Sequence, residues 1–157
     1  MNLVEDFPNL VISRTFSKAY GLAGLRVGYS VSSSYIAGYL NRVRQPFNVN
    51  LLALAAAESA LKDDEHLERC LRINKDEKER LYKFFISNGY DYIESFANFV
   101  SFDCKDNSNK FFKSLLPKGV ITRSMEIYKM PNHLRVTIGL PEENSKFMES
   151  LTSLNES

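Results

Sequence analysis

The spacing of apolar positions changes several times along the chain, and each change marks a predicted element. Leu10, Val11 and Ile12 form a short unbroken apolar run after a mixed lead-in at 4–8, which reads as a buried strand entering a tight turn. From Leu25 the period is two: Leu25, Val27 and Tyr29 alternate with Arg26, Gly28 and Ser30. That alternation predicts a second strand over 25–31 and points Arg26 away from its apolar neighbours. Between the two lies a turn at 19–24, where Gly21 and Gly24 allow tight backbone geometry. Two such strands leave their sheet edges unpaired, so this region calls for further strands that the chain does not supply.

From Ser34 the period becomes three and four, with Ile36, Tyr39, Leu40 and Val43 on one face, Ser32 to Ser34 as caps, and Arg42 and Arg44 flanking the exposed side. Pro46 stops this helix, and the loop Q-P-F-N-V-N leads into a second helical run through Leu51, Leu54, Ala55, Ala56, Ala57 and Leu61. A long amphipathic helix is predicted over 64–87, with Leu67, Leu71, Leu81 and Phe85 on one side and a solvated charged face on the other. Asn88-Gly89 ends it. The remainder reads as strand 97–103, helix 108–116, strands 119–123 and 134–139, and helix 142–154: two helices over a small sheet. In the strand 134–139, Leu134, Val136 and Ile138 share one face, so Arg135 and Thr137 occupy the other. Glu142, Glu143 and Asn144, after Pro141, read as helix N-terminal charge and capping. The changes of rhythm divide the chain into 1–47, connecting helices at 48–89, and a small domain at 90–157.

Composition narrows the function classes. A chain of 157 residues, 44% hydrophobic and 25% charged, is globular, and its net charge of +1 offers no field for nucleic acid or an anionic membrane. No apolar run approaches the roughly 20 residues that span a bilayer, and the opening M-N-L-V-E-D-F lacks a basic head with an apolar signal core, so a cytoplasmic location is expected. Cys70, Cys104, His66 and His133 have no paired metal-ligand spacing, and neither a disulfide nor a zinc site is expected.

The candidate chemistry lies in S-R-T-F-S-K-A-Y-G-L-A-G-L-R-V-G-Y, residues 13–29. Lys18 sits among small, hydroxylated and glycine residues, where partial desolvation favours the neutral amine that attacks an aldehyde. Thr15, Ser17 and Arg26 add two hydroxyls and a planar fork of N–H donors, the groups that anchor a phosphate dianion. Together they ask for a phosphorylated aldehyde.

This stretch resembles the cofactor-lysine signature of fold-type I pyridoxal-phosphate aminotransferases, and nearly the whole chain is similar to the carboxyl-terminal part of the histidinol-phosphate aminotransferase family. L-R-V-T-I-G-L-P-E-E-N at 134–144 favours that branch. The resemblance implies an α/β fold: the end of the large cofactor-binding domain, with an incomplete sheet, followed by a small α+β domain. It implies that Lys18 holds pyridoxal 5'-phosphate covalently and moves the proton of the reaction, and that Thr15, Ser17 and Arg26 bind the cofactor phosphate. It assigns Arg135 and Arg123 to the acidic end of the substrate, and Phe47 to a position usually held by a substrate-contacting tyrosine. For Phe47 simple packing stands as the alternative, and for Arg135 a solvated arginine on a sheet edge. The implied reaction is transamination of histidinol phosphate with 2-oxoglutarate, in a family of homodimers.

The family's acid for the cofactor ring nitrogen lies well before its lysine, whereas only seventeen residues precede Lys18. The chain is therefore expected to be a carboxyl-terminal part that does not turn over alone and tends to associate. Three alternatives stay open: a non-catalytic module that complements a separate amino-terminal half, an aromatic-amino-acid aminotransferase, and a threonine-phosphate decarboxylase.

Overall fold

A computed structural model describes residues 3–155, so Met1 and Asn2 of the opening M-N-L-V-E-D-F lie outside the described residues. The chain divides into two compact units, Met1–Cys70 and Leu71–Ser157.

The first unit begins with a single helical turn, α1 (Leu3–Asp6), followed by strands β1 (Val11–Thr15) and β2 (Gly28–Ser32). These pair antiparallel from Val11 opposite Ser32 to Thr15 opposite Gly28. Both strands are shifted from the expected ranges. β1 runs on to Thr15 and is largely exposed, with Val11 44% accessible, and β2 starts only at Gly28. Residues 23–25 form a 3-10 turn instead, and Arg26 closes it in the left-handed conformation at φ 55°. Arg26 is therefore a turn residue rather than a strand residue, because a left-handed φ breaks the alternation that a strand needs. Gly21 has φ 70°, whereas Gly24 has open space around it; the glycine whose missing side chain matters sterically is Gly28, where a Cβ would meet the Arg14 carbonyl at 2.7 Å.

Helix α2 (Ser34–Val43) is capped by Ser33, whose Oγ accepts from the Ile36 amide. It ends before Arg44, which is extended and lies outside the helix as the chain approaches Pro46. Helix α3 (Leu51–Ala60) is capped by Asn50, whose Oδ1 accepts from the Ala53 amide at 2.8 Å. Its small face supplies Ala53 and Ala57 to a compact core with Phe16 and Val27. Helix α4 (Asp64–Ser87) starts in this unit and continues into the next.

The second unit contains the rest of α4 and strands β3 (Tyr92–Ile93), β4 (Phe99–Asp103), β5 (Arg123–Ser124) and β6 (His133–Thr137), with helices α5 (Ser108–Leu115) and α6 (Pro141–Asn155). The sheet order is β3-β4-β6-β5, antiparallel throughout. β3 goes beyond the expected elements. The strand expected at 119–123 is reduced to two residues, because a 3-10 turn at Leu116–Lys118 and left-handed Gly119, φ 73°, occupy its beginning. On the core side of the sheet Val100, Phe102 and Leu134 are fully buried with Leu81 and Phe85 of α4, Leu115 of α5 and Leu151 of α6. Phe85 stacks on Phe102 at 4.6 Å between ring centroids. The apolar stripe of α4 is thus used at its carboxyl-terminal half, while Leu71 stays 54% exposed. No helix among the described residues is long and apolar enough to cross a membrane.

Candidate active site

Hairpin pairing brings the candidate cofactor residues to one end of β1 and β2. Thr15 and Gly28 are the last pair of the ladder, and beyond them the Phe16 amide donates to the Val27 carbonyl at 3.2 Å. Phe16, buried among Val27, Ala53 and Ala57, pins this end to α3. The chain then turns: the Ser17 amide donates to Thr15 Oγ1 at 3.0 Å, and the Gly21 amide donates to the Lys18 carbonyl at 2.8 Å. Lys18 is held by its backbone, and its side chain is exposed. The partial desolvation expected for it is not supplied by this turn: Ser17, Ala19 and Gly21 are small, and the ring of Tyr20 packs on Phe16, 5.0 Å between centroids.

Arg26 returns to the same end of the hairpin two residues before Gly28. One guanidinium N–H, on Nη1, donates to the Ala23 carbonyl at 2.8 Å, which orients the fork and leaves four of its five donors for a ligand. The donor set of Thr15 at the end of β1 and of Ser17, Lys18 and Arg26 on turn backbone, with exposed or half-buried side chains, fits a phosphate-bearing aldehyde cofactor. Phe47 is 97% exposed and adopts φ 57°. It is not packed within its unit.

The second unit carries the arginines. Register aligns Ile93, Ser101, Arg135 and Arg123 as a row across the four strands, on the face opposite the core. Arg135 lies on an inner strand between β4 and β5, not on a sheet edge, and its guanidinium sits 4.6 Å from the Phe99 ring centroid. Arg123, exposed on the edge strand β5, lies 5.8 Å from the Tyr128 ring centroid. Neither arginine belongs to an ion pair among the described residues. Arg123 and Arg135 are direct ladder partners, and like charges so placed repel.

Ser101 was not singled out by sequence, although alternation against Val100 and Phe102 places it on the arginine face. Its hydroxyl is buried without a hydrogen-bond partner. An open groove of about 440 Å³ runs alongside, lined by Ile93, Phe96, Phe99 and Ser101 among others. Among the described residues no group of three or more His, Cys, Asp or Glu side chains is arranged to hold a metal ion.

Residues 1–151 match the family model described as aminotransferase class I and II. The chain belongs to that family. This aminotransferase chain is 50% identical over 152 residues to histidinol-phosphate aminotransferase 1 of Mannheimia succiniciproducens, covering 97% of this chain and 42% of the relative. It is 52% identical over 151 residues to histidinol-phosphate aminotransferase 2 of Pseudomonas fluorescens, covering 96% and 41%. Among solved structures, the histidinol-phosphate aminotransferase of Clostridium acetobutylicum superposes with TM-score 0.89 at 26% identity, covering 98% of this chain and 48% of that one. The Sinorhizobium meliloti enzyme, solved in complex with pyridoxal-5'-phosphate, superposes with TM-score 0.79 at 27% identity, covering 95% and 43%. The aminotransferase chain thus has the fold-type I architecture in part, and spans about two fifths of the length of the curated relatives it matches.

Proposed function

We propose that the chain supplies the cofactor lysine, the phosphate anchors and the substrate arginines of a pyridoxal-phosphate-dependent aminotransferase that acts on histidinol phosphate with 2-oxoglutarate. The observation that supports this reading is that Thr15, Ser17, Lys18 and Arg26 follow from one end of the β1–β2 hairpin in a chain half identical to histidinol-phosphate aminotransferases. Pyridoxal phosphate, when bound, supplies an electron sink for the pair of electrons left when the substrate carbon loses its proton. Ser17, Thr15 and Arg26 hold the dianion through hydroxyl and guanidinium donors. Lys18 Nζ would hold the cofactor covalently and would act as the base that carries the proton. Arg135, with Arg123 opposite, binds the anionic end of the substrate, and Phe47 offers a ring without the tyrosine hydroxyl.

The test is chemical. The chain is incubated with pyridoxal 5'-phosphate, reduced with borohydride, digested and mapped by mass spectrometry. The pyridoxyl label is expected on Lys18 alone and is lost in Lys18→Ala; label spread evenly over the other lysines refutes the site.

A further inference from the structure

The joint between β6 and α6 carries a buried polar cluster that the proposed chemistry does not use. Asn144 is 2% exposed and Glu77, on α4, is 7% exposed. Asn144 Nδ2 donates to Glu77 Oε2 at 2.8 Å and to the Gly139 carbonyl at 3.0 Å, while its Oδ1 accepts from the Gly139 amide at 3.1 Å. One side chain thus satisfies both backbone groups of Gly139, just past the end of β6. Glu77 Oε2 also accepts from Arg80 Nη1 at 3.2 Å. Arg80 in turn donates to the Pro141 carbonyl at 3.0 Å and, through Nη2, to Ser145 Oγ at 2.7 Å. The cluster ties α4 to the residues immediately before and after the start of α6.

Its position along β6 matters for Arg135. The guanidinium lies over the ring of Phe99, whose partner in the ladder is Thr137, so the charged head leans toward the Gly139 end of the strand. That end has one further ladder bond, from the Ile138 amide to the Asn98 carbonyl at 2.9 Å, before the Asn144 clamp takes over. A strand end held by a single bond frays, and a fully satisfied buried network makes it rigid. We infer that Glu77 and Asn144 are positioning residues for Arg135, holding the end of β6 on α4 so that the guanidinium stays registered on Phe99 to receive an anion. The inference rests on the proposed reading of Arg135 as the substrate's anion anchor. Glu77 and Asn144 touch no reacting atom.

Inorganic phosphate titrated into the isotopically labelled chain, followed by the Arg135 Nε–H signal, tests both levels separately. A saturable shift is expected in the unaltered chain; its absence refutes the anion reading itself, and with it the inference. Asn144→Asp places a carboxylate against Glu77 and removes the amide donor, and is expected to weaken phosphate binding at Arg135 about tenfold, the scale of one charge-assisted hydrogen bond. Glu77→Gln with Asn144→Asp restores the donor–acceptor pair between the two side chains but not the bond to the Gly139 carbonyl, and is expected to recover part of the affinity. The Arg26 Nε–H signal serves as the control and is expected to respond to phosphate alike in all variants. Unchanged phosphate affinity in Asn144→Asp overturns the positioning role while the anion reading stands, and so does weakened affinity that the paired variant fails to recover. Should Asn144→Asp not fold, Asn144→Gln, which shifts both amide groups by one methylene, takes its place, with the same expected loss and the same refutation by unchanged affinity.

Discussion

Cys104 and Cys70 differ in what surrounds the thiol. Cys104 is 2% exposed and donates its Sγ–H to the carbonyls of Asn132 at 2.9 Å and Asp106 at 3.2 Å. Burial pushes its pKa up, with the neighbouring carboxylates of Asp103 and Asp106 adding to the rise. Since the thiolate is the reactive form, iodoacetamide at pH 8 is expected to label half-buried Cys70 well before Cys104, with Cys104 labelled at a comparable rate only in denaturant; peptide mass mapping reads the order. The same shift has a consequence for stability. A thiol that holds its proton more tightly when folded contributes stability that is complete below the ordinary thiol pKa of about 8.5 and is lost as pH rises through the folded value. Thermal melting is therefore expected to fall more steeply between pH 8 and 10 in the unaltered chain than in Cys104→Ala, and equal slopes would contradict the assignment.

Helix starts and turns carry local energetics that can be tested singly. Asn50 is the cap of α3, and α3 presents Ala53 and Ala57 to the core that holds the lysine turn. Asn50→Ala is expected to cost about 1 kcal/mol in urea unfolding, with Asn50→Asp close to the unaltered chain, because Asp keeps the oxygen that accepts the Ala53 amide. A loss shared equally by both variants would assign the role to the amide nitrogen instead. At α6 the expected capping is divided differently among the three residues. Glu143 Oε2 accepts from the Leu140 amide at 2.8 Å, as a third-position carboxylate does in a capping box, with Pro141 at the first helical position. Asn144 instead leaves the helix end to clamp Gly139 and Glu77.

The two units bury very different amounts. The second has a continuous core from Leu81 to Leu151 in which Phe85 touches Phe102 and Phe147, so Phe85→Ala is expected to cost roughly 3–5 kcal/mol by calorimetry or denaturant unfolding. The first is centred on Phe16, Val27, Ala53 and Ala57, and leaves Val43 77%, Phe47 97%, Leu51 79% and Leu52 76% exposed. Hydrogen exchange is expected to be slowest at Val100, Phe102 and Leu134 and much faster across β1 and β2, and sedimentation is expected to show concentration-dependent association through the exposed apolar side chains. A monomer with equal protection in both hairpin and sheet would contradict this account.

What the sequence determined by itself is whatever depends on near neighbours. The range of α4, 64–87, follows from a helical period bounded by acidic residues in its first turn and Asn88-Gly89 past its last, and Gly89 takes the left-handed φ of 67° that such a stop needs. The face that carries Arg135 follows from alternation with Leu134 and Val136, both of them buried. The seventeen-residue lysine stretch was legible as a unit because its donors are close in the chain. Tertiary structure alone decided the rest. Arg26 left the strand pattern because a left-handed residue closes the 3-10 turn, and β3 and β5 are two-residue strands whose existence depends on partners in β4 and β6. Arg123 met Arg135, and Asn144 met Glu77, only through strand pairing and helix packing across long sequence separations. Local period and propensity carry no information about such partners, since the chain pays the entropy of closing those loops only when the whole sheet forms.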